Sequence, residues 1–423
     1  MTFHISQDIQ KKNEILSLMS RKINKDHVLE ILKKSSLKEK IYFRDFILCN
    51  KLSSNLIDYL SSEELSKLYD AESIKKFFFQ KTRFQIQSTL ISEEINNLNK
   101  LLIENNFKGI FLKGAALSLF EYEDISLRPM LDIDILLEEK NIINFYNILI
   151  SKGYFHKGNI SHDSDSLLDF LKFSHQLPGL FSKKNISIEL HHRVTLVDFS
   201  NECPLKNSIL TNFISKEFKG NKLKIPNKND LLLTQLIHLT KYPEFKFGAL
   251  TIFDYSLLNK NYSYDYVDLL ENIKNLKAKR NICLAILICE LILNSNEGFK
   301  RKNDNFFTFI QDEIISIALS RLYQIPENNL KENSLPFYLV QDKNFKELII
   351  LFFRKVFPDR KFIRYRYGKS SIKFLSVYYY LINFKDLLMR YYKDLAIIAL
   401  SCLYRNTKIN DSRKLSNWLK IDK

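Results

Sequence analysis

The chain has 423 residues, of which 45% are hydrophobic and 26% charged, with only 9 Gly and 8 Pro. This suits a globular protein of two or three domains and leaves little room for long disordered linkers. The net charge of +16 is concentrated late: residues 341–423 carry 19 Lys and Arg against 7 Asp and Glu, and the other 340 residues carry 45 against 41.

The opening MTFHISQDIQKK has no apolar signal core, and no apolar run approaches the roughly 18 residues of a bilayer span. The longest late candidate, residues 395–404, is too short. The five cysteines (Cys49, Cys203, Cys283, Cys289 and Cys402) form no CxxC pair, which points away from a zinc site or a disulfide framework. Cys283 and Cys289 lie in an apolar stretch and read as packing residues. A cytoplasmic protein is expected, with peripheral membrane attachment open through the basic end.

Residues 1–95 read as helices. Ser61 or Ser62 can cap before Glu63 and Glu64, and Ser92 can cap before Glu93 and Glu94, starting a helix to about Asn106. The pattern then changes. Residues 109–113 read as a short buried strand, 114–122 as a helix, 130–138 as a second strand and 140–153 as an amphipathic helix ending at Gly153. Residues 170–181 and 185–194 read as two strands around a turn at 182–185. Helices return at 229–242 and in one long apolar stretch at 266–293. The expected fold is α+β: a small mixed-sheet core over 96–200, an N-terminal helical region over 1–95, and a helical C-terminal region over 201–423 ending in a basic, aromatic tail.

The segment RPMLDIDILLEE, residues 128–139, puts Asp132 and Asp134 in an apolar run. Strand side chains alternate, so the two aspartates share one face while Ile133 and Ile135 share the other. Two adjacent carboxylates raise one another's pKa unless a cation holds them. Mg²⁺ typically takes one or two carboxylates together with substrate phosphates. A plainer reading ends the strand there, with both aspartates meeting solvent or capping the next helix. Upstream, Lys113 and Gly114 stand where a strand runs into a helix, and the free N–H groups of a helix start bind phosphate well. Downstream, Glu189 in SIELHH alternates with Ile188 and Leu190, on the opposite face of an apolar strand.

Together, strand–Gly–helix, an aspartate pair in a strand and a later strand glutamate resemble the polymerase-β-type nucleotidyltransferase superfamily. More narrowly, Leu112-Lys113-Gly114, Leu127-Arg128-Pro129, Asp132-Ile133-Asp134-Ile135-Leu136 and Glu189-Leu190-His191 resemble an uncharacterised bacterial nucleotidyltransferase family. The likeness is dense over 109–193 and thinner toward His238, Asp254 and residues 357–368. It implies that Asp132, Asp134 and Glu189 hold Mg²⁺ or Mn²⁺ on the triphosphate of an NTP, with Glu189 a second-metal ligand or the base for the acceptor hydroxyl. It implies nucleotide binding at Lys113, Gly114, Ala115 and Arg128. It also implies transfer of a nucleoside monophosphate, with release of pyrophosphate, to a glycan, a peptide or an RNA end. Many superfamily members carry Ser where this chain has Ala115, which leaves backbone contacts to phosphate at that position. Arg128 can reach phosphate from its loop or form a structural salt bridge. His191 shares a face with Glu189 and is a candidate for orienting substrate, with His175 beside it across the hairpin. His238 reads as a packed core or hinge residue of a helix and Asp254 as a helix cap.

Two other classes compete. A DxD glycosyltransferase also holds a metal on aspartates, although its motif usually ends a strand in a loop. A non-catalytic basic adaptor would bind a membrane surface or RNA through the tail. In the tail, Arg354, Lys355, Arg360, Lys361, Arg364, Arg366 and Lys369 lie within 16 positions, among Tyr and Phe. The expectation is that they steer an anionic acceptor toward Glu189, an attraction screened over roughly 8 Å at physiological salt. Replacing Arg364 and Arg366 together by Gln is expected to raise the acceptor's KM more than the nucleotide's. Acceptor kinetics unchanged at low salt would make the tail a solvated element.

Overall fold

The computed structural model describes residues 6–156, 164–171, 174–194, 204–240, most of 245–293, 309–325, 378–386 and a few isolated positions. The basic tail residues from Arg354 to Lys369 lie outside the described residues.

The chain opens with helices α1 (Gln7–Arg21), α2 (Lys25–Lys34), α3 (Leu37–Cys49), α4 (Ser53–Tyr59), α5 (Ser62–Ser66) and α6 (Ala71–Glu104). Their starts follow the sequence. Ser36 with Glu39, and Ser61 with Glu64, form capping boxes on α3 and α5. Ser92 does not start a helix; it is buried inside α6, which runs unbroken for 34 residues. The reason is visible in the spacing: Phe84, Ser88, Ile91, Ile95, Leu98 and Leu102 make one continuous buried stripe, and burial of that stripe outweighs a local cap signal. The boundary expected at residue 95 falls within this helix.

A compact α+β core follows: β1 (Ile110–Phe111), α7 (Lys113–Phe120), β2 (Asp132–Leu136), α8 (Glu139–Ser151), α9 (Ser164–Leu171), β3 (Leu180–Phe181) and β4 (Ser187–His191). The mixed sheet has the order β1-β2-β4-β3. β2 and β4 are parallel, and the two outer strands run antiparallel to their neighbours. The strand expected over 170–181 shrinks to β3, because Phe170 and Leu171 belong to α9. Pro178 has no N–H to give to the ladder, so beyond it the pairing survives only as an isolated bridge from Gln176 to His191.

Next come α10 (Pro204–Thr211), the hairpin of β5 (Ile214–Phe218) and β6 (Asn221–Ile225), and α11 (Lys228–Thr240), α12 (Ala249–Asn261), α13 (Tyr266–Glu271), α14 (Leu276–Leu293) and α15 (Asp312–Leu322). The hairpin was not expected. Its two-residue turn, Lys219-Gly220, has positive φ at both positions, as a type I′ turn requires; Lys in the first place hides the usual Asn-Gly or Asp-Gly signal. The long helix expected over 266–293 is two helices, α13 and α14.

The sheet's two faces differ. Ile133, Ile135, Ile188 and Leu190 point into the main core, which also takes in the stripe of α6 and residues of α11, α12 and α14. The opposite face carries Asp132, Asp134 and Glu189 and a small apolar cluster of Ile110, Leu112, Leu136, Val194, Ile209 and Leu210. Cys283 and Cys289 are buried packing residues in α14. No helix among the described residues is long and apolar enough to cross a membrane. Ile133 is fully buried, so Ile133→Ala is expected to cost roughly 2–5 kcal/mol, read as a lowered denaturation midpoint with an unchanged slope.

Candidate functional site

Parallel pairing of β2 with β4 sets the site. Asp132 lies opposite Ser187, Asp134 opposite Glu189 and Leu136 opposite His191. Residues paired in this way point to the same face, so the expected convergence of Asp134 with Glu189 follows from the register. One oxygen each from Asp134 and Glu189 and one ring nitrogen of His191 lie within 4.8 Å of one another. Asp132 shares the face but is not part of that tight group.

Asp134 is 3% exposed, and two groups meet its charge. Lys113 Nζ donates to its Oδ1 at 2.8 Å, and His191 Nε2 approaches the same oxygen at 2.7 Å. Burial alone would push this carboxyl up, but Lys113 and His191 overrule it and hold it well below the usual range. Asp132 is pushed up to about 6, first by burial and then by the charges of Asp134 and Glu189, with Lys113 and Lys51 pulling the other way. Burial would lower His191, yet its bonds to Asp134 and Glu189 hold it above its ordinary value. Nε2 also lies 3.5 Å from Glu189 Oε2, and the buried Nδ1 has no partner among the described residues.

Lys113 owes its reach to the backbone. Leu112 ends the strand by donating its N–H to the Asp134 carbonyl at 3.0 Å. Lys113 then turns with φ 43° into α7, whose start no side chain caps. A left-handed conformation costs a non-glycine residue roughly 1–2 kcal/mol, and such strain concentrates at working sites. Gly114 is needed for space. A Cβ there would stand 3.1 Å from Met130 Cγ and 3.9 Å from Arg128 Nη1, so a larger residue would first press on the loop before β2. Ala115 is buried in α7.

Arg128 is taken up by a residue of α12. Its Nε donates to both carboxylate oxygens of Asp254, at 2.8 and 3.0 Å, and Nη1 reaches the Pro129 carbonyl. Tyr122 adds its hydroxyl to Asp254 at 2.8 Å. Asp254, expected as a helix cap, is therefore a fully buried mid-helix carboxylate that anchors the Leu-Arg-Pro loop to α12. Burial pushes its carboxyl upward, and Arg128 and Tyr122 oppose that. His175 lies beside the site, its ring centroid 5.3 Å from that of His191, and its carbonyl accepts the N–H groups of His192 and Arg193. His238, expected as a packed core or hinge residue, is exposed near the end of α11.

Sequence reasoning missed the role of Asp254, the contribution of Tyr122 and the presence of Lys51. Lys51 follows α3, and its charge is felt by both Asp132 and Arg128. Nothing local marks these residues: Asp254 and Lys51 are brought in by tertiary packing from distant parts of the chain, and Tyr122 meets Asp254 from the loop after α7.

A divalent cation fits this donor set. Carboxylate oxygens suit a hard cation, and such a cation would offset both the burial and the like-charge repulsion that push Asp132 up. The aspartates stand within β2, not in a loop after it, which differs from the glycosyltransferase expectation.

A family model described as an uncharacterised nucleotidyltransferase matches residues 49–294, more than half of the chain. No curated protein and no solved structure matches significantly.

Removing one member of a buried pair strands the other charge, at a cost of roughly 3–5 kcal/mol. Asp254→Ala is expected to lower stability by about that amount, measured by denaturant unfolding. A change under about 1 kcal/mol would mean that the pair anchors little.

Proposed function

We infer the reaction from one premise: this chain belongs to the family of uncharacterised nucleotidyltransferases. It transfers a nucleoside monophosphate from an NTP to an acceptor nucleophile. The observation that carries this reading is the register of β2 on β4, which sets Asp134 beside Glu189 with Lys113 bonded to Asp134. Asp132, Asp134 and Glu189 are the oxygen ligands for Mg²⁺ or Mn²⁺, and His191 fixes Asp134 through Nε2. When bound, such a cation neutralises the triphosphate and stabilises charge developing at the α-phosphorus.

The protein's own groups do the rest. The start of α7 offers the backbone N–H groups of Gly114 and Ala115 to phosphate oxygens. Lys113 supplies a positive charge at the same turn. Glu189 is partly exposed and takes the proton of the acceptor hydroxyl as its oxygen attacks the α-phosphorus. The bond from the α-phosphorus to the bridging oxygen breaks, and pyrophosphate leaves. Arg128, committed to Asp254, holds the loop over Gly114 and thereby shapes the nucleotide pocket. The acceptor is an alcohol or phosphorylated group on a glycan, a peptide or an RNA end.

Incubation with each α-labelled NTP, Mg²⁺ and cell extract is expected to label one acceptor class. Asp132→Asn and Asp134→Asn are each expected to lower labelling at least about 100-fold, in line with the loss of a group that stabilises transition-state charge, and chelation by EDTA to abolish it. Wild-type labelling by both variants would remove the metal assignment.

A further inference from the structure

Lys51 sits outside the α/β core, yet its charge acts on Asp132 in the acidic site. It follows α3, whose C-terminal end closes with two hydrogen bonds: Lys51 N–H to the Leu48 carbonyl at 3.2 Å and Leu52 N–H to the Ile47 carbonyl at 2.9 Å. This is the ending that places a left-handed residue, usually glycine, just after the helix. Here that residue is lysine, with φ 61°. Glycine would relieve the strain at this position.

The turn is held from three sides. Gln80 Nε2 donates to the Leu48 carbonyl at 2.9 Å, and Ser53 Oγ donates to Gln80 Oε1 at 2.6 Å. Asn50, 3% exposed, donates to the Phe46 carbonyl and accepts the Ala249 N–H at the start of α12. Asp254 lies five residues along α12, about 7.5 Å by helical rise, and grips Arg128. Asn50 thus ties the Lys51 turn to the helix that anchors the loop leading into Asp132.

The Lys51 side chain is partly buried and makes no salt bridge or side-chain hydrogen bond among the described residues. The other cations here are spoken for: Lys113 by Asp134, Arg128 by Asp254. The charges of Arg128 and Asp132 both act on Lys51, and burial, then Arg128, depresses its pKa. A divalent cation on the carboxylates would leave this corner with surplus positive charge, which a polyphosphate is suited to balance.

We propose that Lys51 binds the triphosphate of the incoming nucleotide, so that the turn between α3 and α4 forms part of the nucleotide site. The proposal rests on the nucleotidyl-transfer reading. Lys51→Gln removes the charge and keeps the strained backbone, Lys51→Gly removes both, and Lys51→Arg keeps the charge. The probes are Mg²⁺ with inorganic tripolyphosphate and with each NTP, read by calorimetry and thermal shift. The Gln and Gly variants are expected to weaken tripolyphosphate and NTP binding about 10- to 100-fold, the range for loss of a hydrogen bond to a charged group, while Arg stays near wild type. The unliganded Gly variant should melt a few degrees higher than wild type; if it fails to fold, the Gln variant decides. Wild-type binding by the Gln variant overturns the role of Lys51 alone. A wild-type protein that binds no NTP or tripolyphosphate with Mg²⁺ or Mn²⁺ overturns the nucleotide reading, and this proposal with it.

Discussion

A single buried carboxylate organises this molecule. Asp134 has almost no contact with solvent, and an uncompensated charge in that position would be strongly destabilising. Its compensation comes from two places far apart in sequence, Lys113 and His191. For Lys113 to arrive, the chain must leave β1 through a left-handed lysine; for His191 to arrive, β4 must lie parallel to β2 in its observed register. A one-residue slip of β4 would turn Glu189 and His191 into the apolar core and Leu190 toward the aspartates. The electrostatic requirement and the hydrophobic pattern therefore select the same strand pairing.

The helices around the sheet are part of the same arrangement. Arg128 immediately precedes the segment that carries the aspartates, and its partner Asp254 belongs to α12. α12 is in turn met at its first N–H by Asn50, after α3. The family match begins at residue 49 and ends at residue 294, so it takes in the Asn50 turn, α12 and all of α14, well beyond the strands that hold the carboxylates.

Local chemistry was legible in the sequence wherever one element decided it. The alternation in MLDIDILLE correctly divides Asp132 and Asp134 from Ile133 and Ile135, and SIELH divides Glu189 from Ile188 and Leu190. The capping serine at 61 was readable for the same reason. Competing local signals misled. Ser92-Glu93-Glu94 has the letters of a helix start, but an apolar stripe passes straight through it. Lys219-Gly220 has the geometry of a hairpin turn without its commonest residues. Asp254 looked like a cap because its partner is 126 positions away, and no periodicity reports a contact of that span. Lys51 was invisible because a lysine after a helix is ordinary until the helix end, the left-handed φ and the neighbouring charges are seen together.

The 34 residues of α6 make a rod of about 51 Å by helical rise. It contains neither glycine nor proline, the residues at which helices usually kink. Its first half packs on the preceding helices and its second half on the sheet and the β5–β6 hairpin. A rod shared in this way leaves no hinge between the N-terminal helices and the strands. Cutting the chain at residue 95 would split this shared beam, so the strands cannot be taken as a free-standing catalytic module.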